Sequence, residues 1–431
     1  VVGFLENFHF DEFDISFLSD LNGNDGKPLF EKEFLSELKN LEFSCDVDAV
    51  PEGTVVFPQE PLLRVRGPII QCQLLETALL NMINFQSLIA TKASRICMAT
   101  KGEPVLEFGM RRAQGIDGAL SASRAAFIGG CSATSNVLAG KIFGIPVRGT
   151  HAHSWVMSFD GESEAFDAYA KAMPNNCVFL VDTYDTLLGV KNAVKTGLWL
   201  REMGHEMIGI RLDSGDLAYL SIEARKILDS AGFPKAVIVA SNDLDENIIL
   251  SLKQQGATIA VWGVGTKLAT AYDQPALGGV YKLVAIRHPG KPWEYKVKLS
   301  EQAIKVSNPG ILQIRRFQSD SEFLADMVYD GELGVNRENE IIDPMDSTRR
   351  KKIPIATKFS DLLEPVFRKG KIVDKLPPIF QARERVKEQL SFFHGGIKRF
   401  ENPHQYPVGL DIGLQDLKTK LIMQARGIKP E

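Results

Sequence analysis

The chain has 431 residues, with 50 Lys and Arg against 54 Asp and Glu, for a formal charge of −4. Proteins that hold a nucleic-acid backbone or an anionic membrane usually carry a basic excess, so no nucleic acid and no membrane is expected as a partner. Hydrophobic residues at 44% and charged residues at 24% are globular values, and the length suggests two to three domains.

The opening, VVGFLENFHFDEFD, has no initiator Met, no basic n-region and no cleavage site. It reads as lacking a secretory leader and as beginning inside a longer chain. No run approaches the roughly 20 apolar residues that span a bilayer. The cysteines 45, 72, 97, 131 and 177 are scattered without a CxxC, which suits a reduced, cytoplasmic protein and disfavours zinc. Residues 52–68 mix Pro, Gly and short apolar runs, as short strands and turns do. Residues 71–100 repeat apolar residues at helical spacing, including Leu74, Leu75, Ala78, Leu79, Met82 and Ile83.

From residue 104 short apolar runs alternate with helical segments. Strands are predicted at 145–149, 178–182, 207–213, 236–241 and 258–263, with helices over 187–202, 217–231 and 246–255. About seven such units, apolar on both faces, predict an α/β fold with an irregular (β/α) barrel. After residue 280 strand-like runs return (VYKLVAIR, EYKVKLSE, ILQIRRF, ADMVYD), and these are expected to pack with the N-terminal region. The expected organisation is an N-terminal part over 1–103, the barrel over 104–282 and a C-terminal part over 283–431. The two outer parts together make a second, α+β domain.

Polar residues gather directly after the strands, at 111–112, 150–154, 182–185, 211–216, 241–243 and 263–266. Any one cluster could be a helix cap or a turn. Six together, with His and Arg among them, point to a catalytic face at the strand C-termini. Gly263-Val264-Gly265-Thr266 suits close backbone approach to a phosphate. Arg211 suits a phosphate or carboxylate, while Asp213 and Asp216 suit sugar hydroxyls or Mg²⁺. His151 and His153 project to one side of an extended segment. They could ligate a metal as in barrel hydrolases, supply a nucleophile or base, or be structural. A nucleophile or base needs an orienting carboxylate, and Asp182 ends the next strand.

Taken together, these blocks resemble the nicotinate phosphoribosyltransferase family. The blocks are LLETALLN (74–81), EFGMRRAQGIDGALSAS (107–123), SNVLAGKIFGIPVRGTHAHS (135–154), VDTYD (181–185), IRLDSGD (210–216), VASND (239–243), WGVGT (262–266) and QPALGGVYKLV (274–284). The resemblance implies transfer of phosphoribosyl from phosphoribosyl pyrophosphate to nicotinate, giving nicotinate mononucleotide and pyrophosphate. It implies ATP as co-substrate, Mg²⁺ as cofactor and a homodimer. The family's Thr-x-x-His-Ser falls on Thr150, His153 and Ser154, so His153 is the implied phosphohistidine, with Asp182 orienting it. His151→Ala is accordingly expected to keep the phosphoryl label. Thr150 would lie by nicotinate, and Arg211 would meet its ring or carboxylate. Arg111 would meet the pyrophosphate or 5′-phosphate, Asp213, Ser241 and Asn242 the ribose, and Gly265 and Thr266 the 5′-phosphate. Nicotinamide-using relatives have an Asp at position 136; Ser135 and Asn136 do not repel a carboxylate, which favours nicotinate. Family members also open with an Asp-x-Tyr-x-x-Thr-Met segment that this sequence lacks. Either the chain continues upstream or its pocket is built otherwise.

Overall fold

The computed structural model describes residues 1–302, 305–336 and 339–428. Two units divide the chain. One is contiguous, Asn84–Gly278; the other joins Val1–Ile83 to Gly279–Glu431. Among the described residues no helix is long and apolar enough to cross a membrane.

In the contiguous unit, the apolar runs form strands buried on both faces, such as Gly209–Leu212, Val237–Ala240 and Val261–Val264. Six strands pair in parallel. Their order is Ala133–Thr134, Val105–Glu107, Val261–Val264, Val237–Ala240, Gly209–Leu212 and Val178–Leu180. The predicted strand at 145–149 contributes one bridge, Val147 to Thr134, beside the first of these. The expected count of about seven thus becomes six strands and a bridge.

Helices Thr186–Glu202, Leu217–Ser230 and Glu246–Gln254 connect the later strands. Each starts where an Asp accepts a backbone N–H of the first turn: Asp185 from Leu188, Asp216 from Tyr219 and Asp245 from Ile248. Such caps satisfy otherwise unpaired donors and fix where the strand-end loop stops. The helical pattern over 71–100 divides into Ile69–Leu74 and Glu76–Ala99.

The other unit confirms that both ends of the chain build one α+β domain. Asp46–Ala49 pairs with Leu63–Arg66 on one edge and with Glu364–Arg368 on the other, setting Val47 opposite Phe367. Leu5, Val47, Leu75, Leu79 and Phe367 form a buried cluster there. A six-stranded sheet lies in the same unit and is antiparallel except where Phe323–Asp330 meets Val408–Asp411. Of the expected strands beyond 280, the first two shrink to Ala285–Ile286 and Glu294–Tyr295, while Leu312–Gln318 and Phe323–Asp330 are full strands.

An ion network sits inside this unit. Arg316 and Asp326 are both 0% exposed. Nε and Nη2 of Arg316 grip the Asp326 carboxylate, with Nη2 to Oδ2 at 2.6 Å, Nη1 reaches Gln389 at 2.7 Å, and Nη2 also reaches the Val55 carbonyl at 2.8 Å. The Tyr406 hydroxyl donates to Asp326 at 2.9 Å. Rings of Phe323 and Phe393 stand 4.9 and 5.4 Å from the guanidinium. Burial, and then the neighbouring Asp326 charge, push Glu60 well above the usual carboxylate range.

Candidate active site

The polar residues at the strand C-termini form a connected network centred on Arg211, the third residue of Gly209–Leu212. Its Nε donates to Ser241 at 2.8 Å, Nη1 to Thr150 at 2.9 Å and Nη2 to Asp213 at 3.0 Å. Ser241 also donates to Asp213. Three contacts leave a guanidinium with five N–H groups further capacity. The side chain is 15% exposed, so that capacity can reach a ligand. Burial and hydrogen bonding hold the fork in place before anything binds.

A second part of the network joins through Asp213. Asp182 Oδ2 accepts the Asp213 N–H at 2.9 Å and the Ser214 hydroxyl at 2.6 Å, while Oδ1 faces His153 Nε2 at 3.2 Å. The Asp182 side chain is 1% exposed and the His153 side chain 38%. A buried, triply held carboxylate therefore orients a half-exposed imidazole, the arrangement that activates a histidine nucleophile or base. His153 opens the short helix His153–Val156, and Ser154 beside it is exposed.

His151 behaves differently. Its Nε2 accepts the Leu180 N–H at 3.2 Å, and the ring is 9% exposed. Burial pushes its pKa down to about 4, and the nearby Arg211 charge acts the same way. The two histidines thus have separate partners. Among the described residues no three His, Cys, Asp or Glu side chains gather as a metal cage.

The remaining expected residues lie outside this network. Asn136 is 1% exposed; its Oδ1 caps Val137–Phe143 at Ala139 and its Nδ2 reaches Ser123 at 3.3 Å. Ser135 donates its N–H to the Glu107 carbonyl at 2.9 Å. Arg111 is exposed on the turn Met110–Arg112. Asn242 is exposed with φ at 91°, a left-handed conformation that stores strain in a non-glycine residue at the end of Val237–Ala240. Gly265 precedes Thr266–Ala269. Asp216, grouped with Asp213 in the sequence, is the helix cap described above.

Two residues were not singled out from the sequence. Phe108 places its ring 5.6 Å from the Arg211 guanidinium, and its N–H donates to the Val264 carbonyl at 2.8 Å. Glycine at 263 leaves room for that ring, since a Cβ there would come within 2.8 Å of it and force it to shift. Glu107 is 2% exposed and accepts from the Gly109 N–H, from Ser123 at 2.8 Å and from Thr134 at 2.6 Å. It ties together the loops bearing Arg111 and Ser135. The available signal was the block EFG at the end of a strand, an acid and an aromatic leading into a turn that needs neither.

Comparison with known proteins agrees with this geometry. Residues 1–84 match the nicotinate phosphoribosyltransferase N-terminal domain, residues 104–307 the nicotinate phosphoribosyltransferase family and residues 313–418 its C-terminal domain. The nicotinate phosphoribosyltransferase of Bacillus subtilis is 46% identical over 420 residues, covering 95% of this chain and 82% of that protein. That of Dictyostelium discoideum is 39% identical over 487 residues, covering 100% and 81%. The crystal structure of human nicotinic acid phosphoribosyltransferase superposes with a TM-score of 0.83 at 32% identity, covering 97% of this chain and 90% of that one. By sequence and by fold, the chain belongs to the nicotinate phosphoribosyltransferase family.

Proposed function

We propose that the strand-end face joins nicotinate to 5-phosphoribosyl 1-pyrophosphate, with ATP consumed through a phosphorylated His153, as a step of NAD salvage. The observation that carries this is the continuous network His153–Asp182–Asp213–Arg211 with Thr150 and Ser241. Nicotinate is a flat aromatic ring bearing a carboxylate. Phe108 offers a flat face and Arg211 a cation with spare N–H groups beside it. The pyridine nitrogen attacks C1 of the ribose, the C1–O bond to pyrophosphate breaks, and the electron pair leaves with pyrophosphate. Positive charge grows on the ribose and negative charge on the leaving group. Asp213 tolerates the first; Arg111, the amides around Gly265 and the Thr266 hydroxyl suit the phosphates.

Mg²⁺ fits the carboxylates present. Among the described residues no group donates to Asp213 Oδ2, and Asp243 is exposed on the adjoining loop. These hard oxygens, completed by substrate phosphates, would hold the ion, which supplies charge neutralisation at the pyrophosphate.

With Nε2–H donated to Asp182, His153 keeps its lone pair on Nδ1. Nδ1 attacks the γ-phosphorus of ATP, the P–O bond to ADP breaks, and no proton need move. The ring becomes cationic and Asp182 balances it. The added phosphoryl charge, up to roughly two negative charges, then reorders nearby loops and tightens substrate binding. Incubation with [γ-³²P]ATP tests the step: acid-labile, base-stable label is expected on the wild type and not on His153→Ala. Equal labelling of both overturns it. Turnover of nicotinate against nicotinamide tests the substrate, and faster use of nicotinamide overturns that part.

A homodimer and a cytoplasmic setting complete the reading. Ile116, Val137 and Ile142 are 69%, 68% and 54% exposed, apolar side chains that a second copy would cover. The cysteines are scattered along the chain without a CxxC, a pattern that suits a reducing compartment. Sedimentation at a single monomer mass would overturn the dimer.

A further inference from the structure

The parallel sheet has a seam. On one side Val147 bridges Thr134, and the chain continues through Thr150 to His153. On the other side Val178–Leu180 pairs only with Gly209–Leu212, so its outer edge has no strand beside it among the described residues. Successive N–H groups of a strand point to opposite edges. The Val181 N–H reaches the Arg211 carbonyl at 3.2 Å, so the Leu180 N–H faces the seam. It is taken there by His151 Nε2 at 3.2 Å. Two residues further along both segments, His153 Nε2 meets Asp182 Oδ1 at the same 3.2 Å. The offset is identical, 151 to 180 and 153 to 182. Two imidazoles stand where backbone groups would link the strands of a closed sheet.

The His151 ring is held as a fixed strut. It lies edge-on to Tyr169 at 4.9 Å and 6.0 Å from Phe166, both on Glu162–Ala172. To accept from an amide, Nε2 must be unprotonated, so the hydrogen sits on Nδ1. A ring buried this far stays neutral, with its pKa near the stated value of about 4.

We infer that His151 is a positioning residue: its bond to Leu180 sets the register across the seam and thereby aims Asp182 at His153. This rests on the reading of His153 and Asp182 given above. Small displacements of a reacting pair, on the order of 1 Å, cost about 100-fold in rate. His151 does not itself accept the phosphoryl group, so the total label that His151 variants finally reach is unaffected; the rate is not.

The test compares His151→Leu, which removes the acceptor but keeps apolar bulk against Tyr169 and Phe166, with His151→Gln, which keeps an acceptor at similar reach. The readouts are the rate and final extent of labelling by [γ-³²P]ATP, kcat and KM for mononucleotide synthesis, and thermal melting. His151→Leu is expected to lower labelling rate and kcat about 10- to 100-fold, with KM for phosphoribosyl pyrophosphate within about twofold and full final labelling. His151→Gln is expected to recover to within about threefold of wild type. A wild-type rate in His151→Leu, or no recovery in a folded His151→Gln, overturns the inference. Should His151→Leu fail to fold, imidazole ¹⁵N NMR of the wild type decides. An unprotonated Nε2 on His151 at pH 7 supports the strut, and a protonated one overturns it. The two ideas fail differently. Undiminished label on His153→Ala removes the phosphohistidine. Wild-type rates in His151→Leu beside a label-free His153→Ala remove only the positioning role.

Discussion

Each unit of the chain contains an arginine locked to a carboxylate, and the two networks differ in what they leave over. Arg316 is sealed: it is 0% exposed, and each of its nitrogens is used by Asp326, Gln389 or Val55. Arg211 is held by three single contacts, to Ser241, Thr150 and Asp213, with 15% of its side chain open to solvent. A saturated guanidinium can only hold its own domain together. A part-saturated one, pre-aimed by its neighbours, can bind a further anion without reorganising.

That contrast sets the expected effects of breaking each network. Asp326→Ala strands a buried guanidinium and should lower stability by about 3–5 kcal/mol, read by urea unfolding. A loss below about 1 kcal/mol would show that the network is not sealed. Arg211→Lys removes the planar fork and should cut kcat/KM for nicotinate about 100-fold while the melting temperature moves by only about two degrees. If melting falls as far as in Asp326→Ala, Arg211 is structural after all. Asp182→Asn keeps shape but loses the charge that steadies His153, and should lower kcat about 10- to 100-fold in steady-state assays. The smallest effect concerns pH. The unfolded chain protonates His151 below about pH 6.5, whereas the folded chain resists until about 4. Stability therefore falls as pH drops through that window, by about 1 kcal/mol between pH 6.5 and 5.5. His151→Gln should flatten this part of the urea-midpoint profile.

Much of this was legible in the chain itself. Helices predicted over 187–202, 217–231 and 246–255 are found at Thr186–Glu202, Leu217–Ser230 and Glu246–Gln254, because a capping Asp marks each start. Runs such as VIVA declare themselves because both faces are buried. Strand-end residues were recognised as a set, but not their division of labour. Asp213 and Asp216 look alike in sequence; one grips Arg211 and the other caps a helix, which depends on where the strand ends. Asn136 faces inward for the same reason. The seam could not be read at all. Residues 145–149 read as a strand in the sequence, yet whether an edge finds a backbone partner is decided by closure of the whole sheet. Glu107 and Phe108 escaped notice because their importance lies in contacts with Thr134 and Arg211, distant in sequence.

The pairing of Val47 with Phe367 has a consequence for biosynthesis. At about 5–20 residues per second, the ribosome releases the first of these strands tens of seconds before the second. Meanwhile Asp46–Ala49 has only Leu63–Arg66 beside it, and an isolated hairpin is marginal in water. The contiguous 84–278 unit needs nothing downstream to complete its sheet, so it matures first on the nascent chain. The two segments can meet only after Glu364–Arg368 has been made, which leaves one edge of Asp46–Ala49 unpaired until then and makes it a part of the newborn protein that a chaperone would shield.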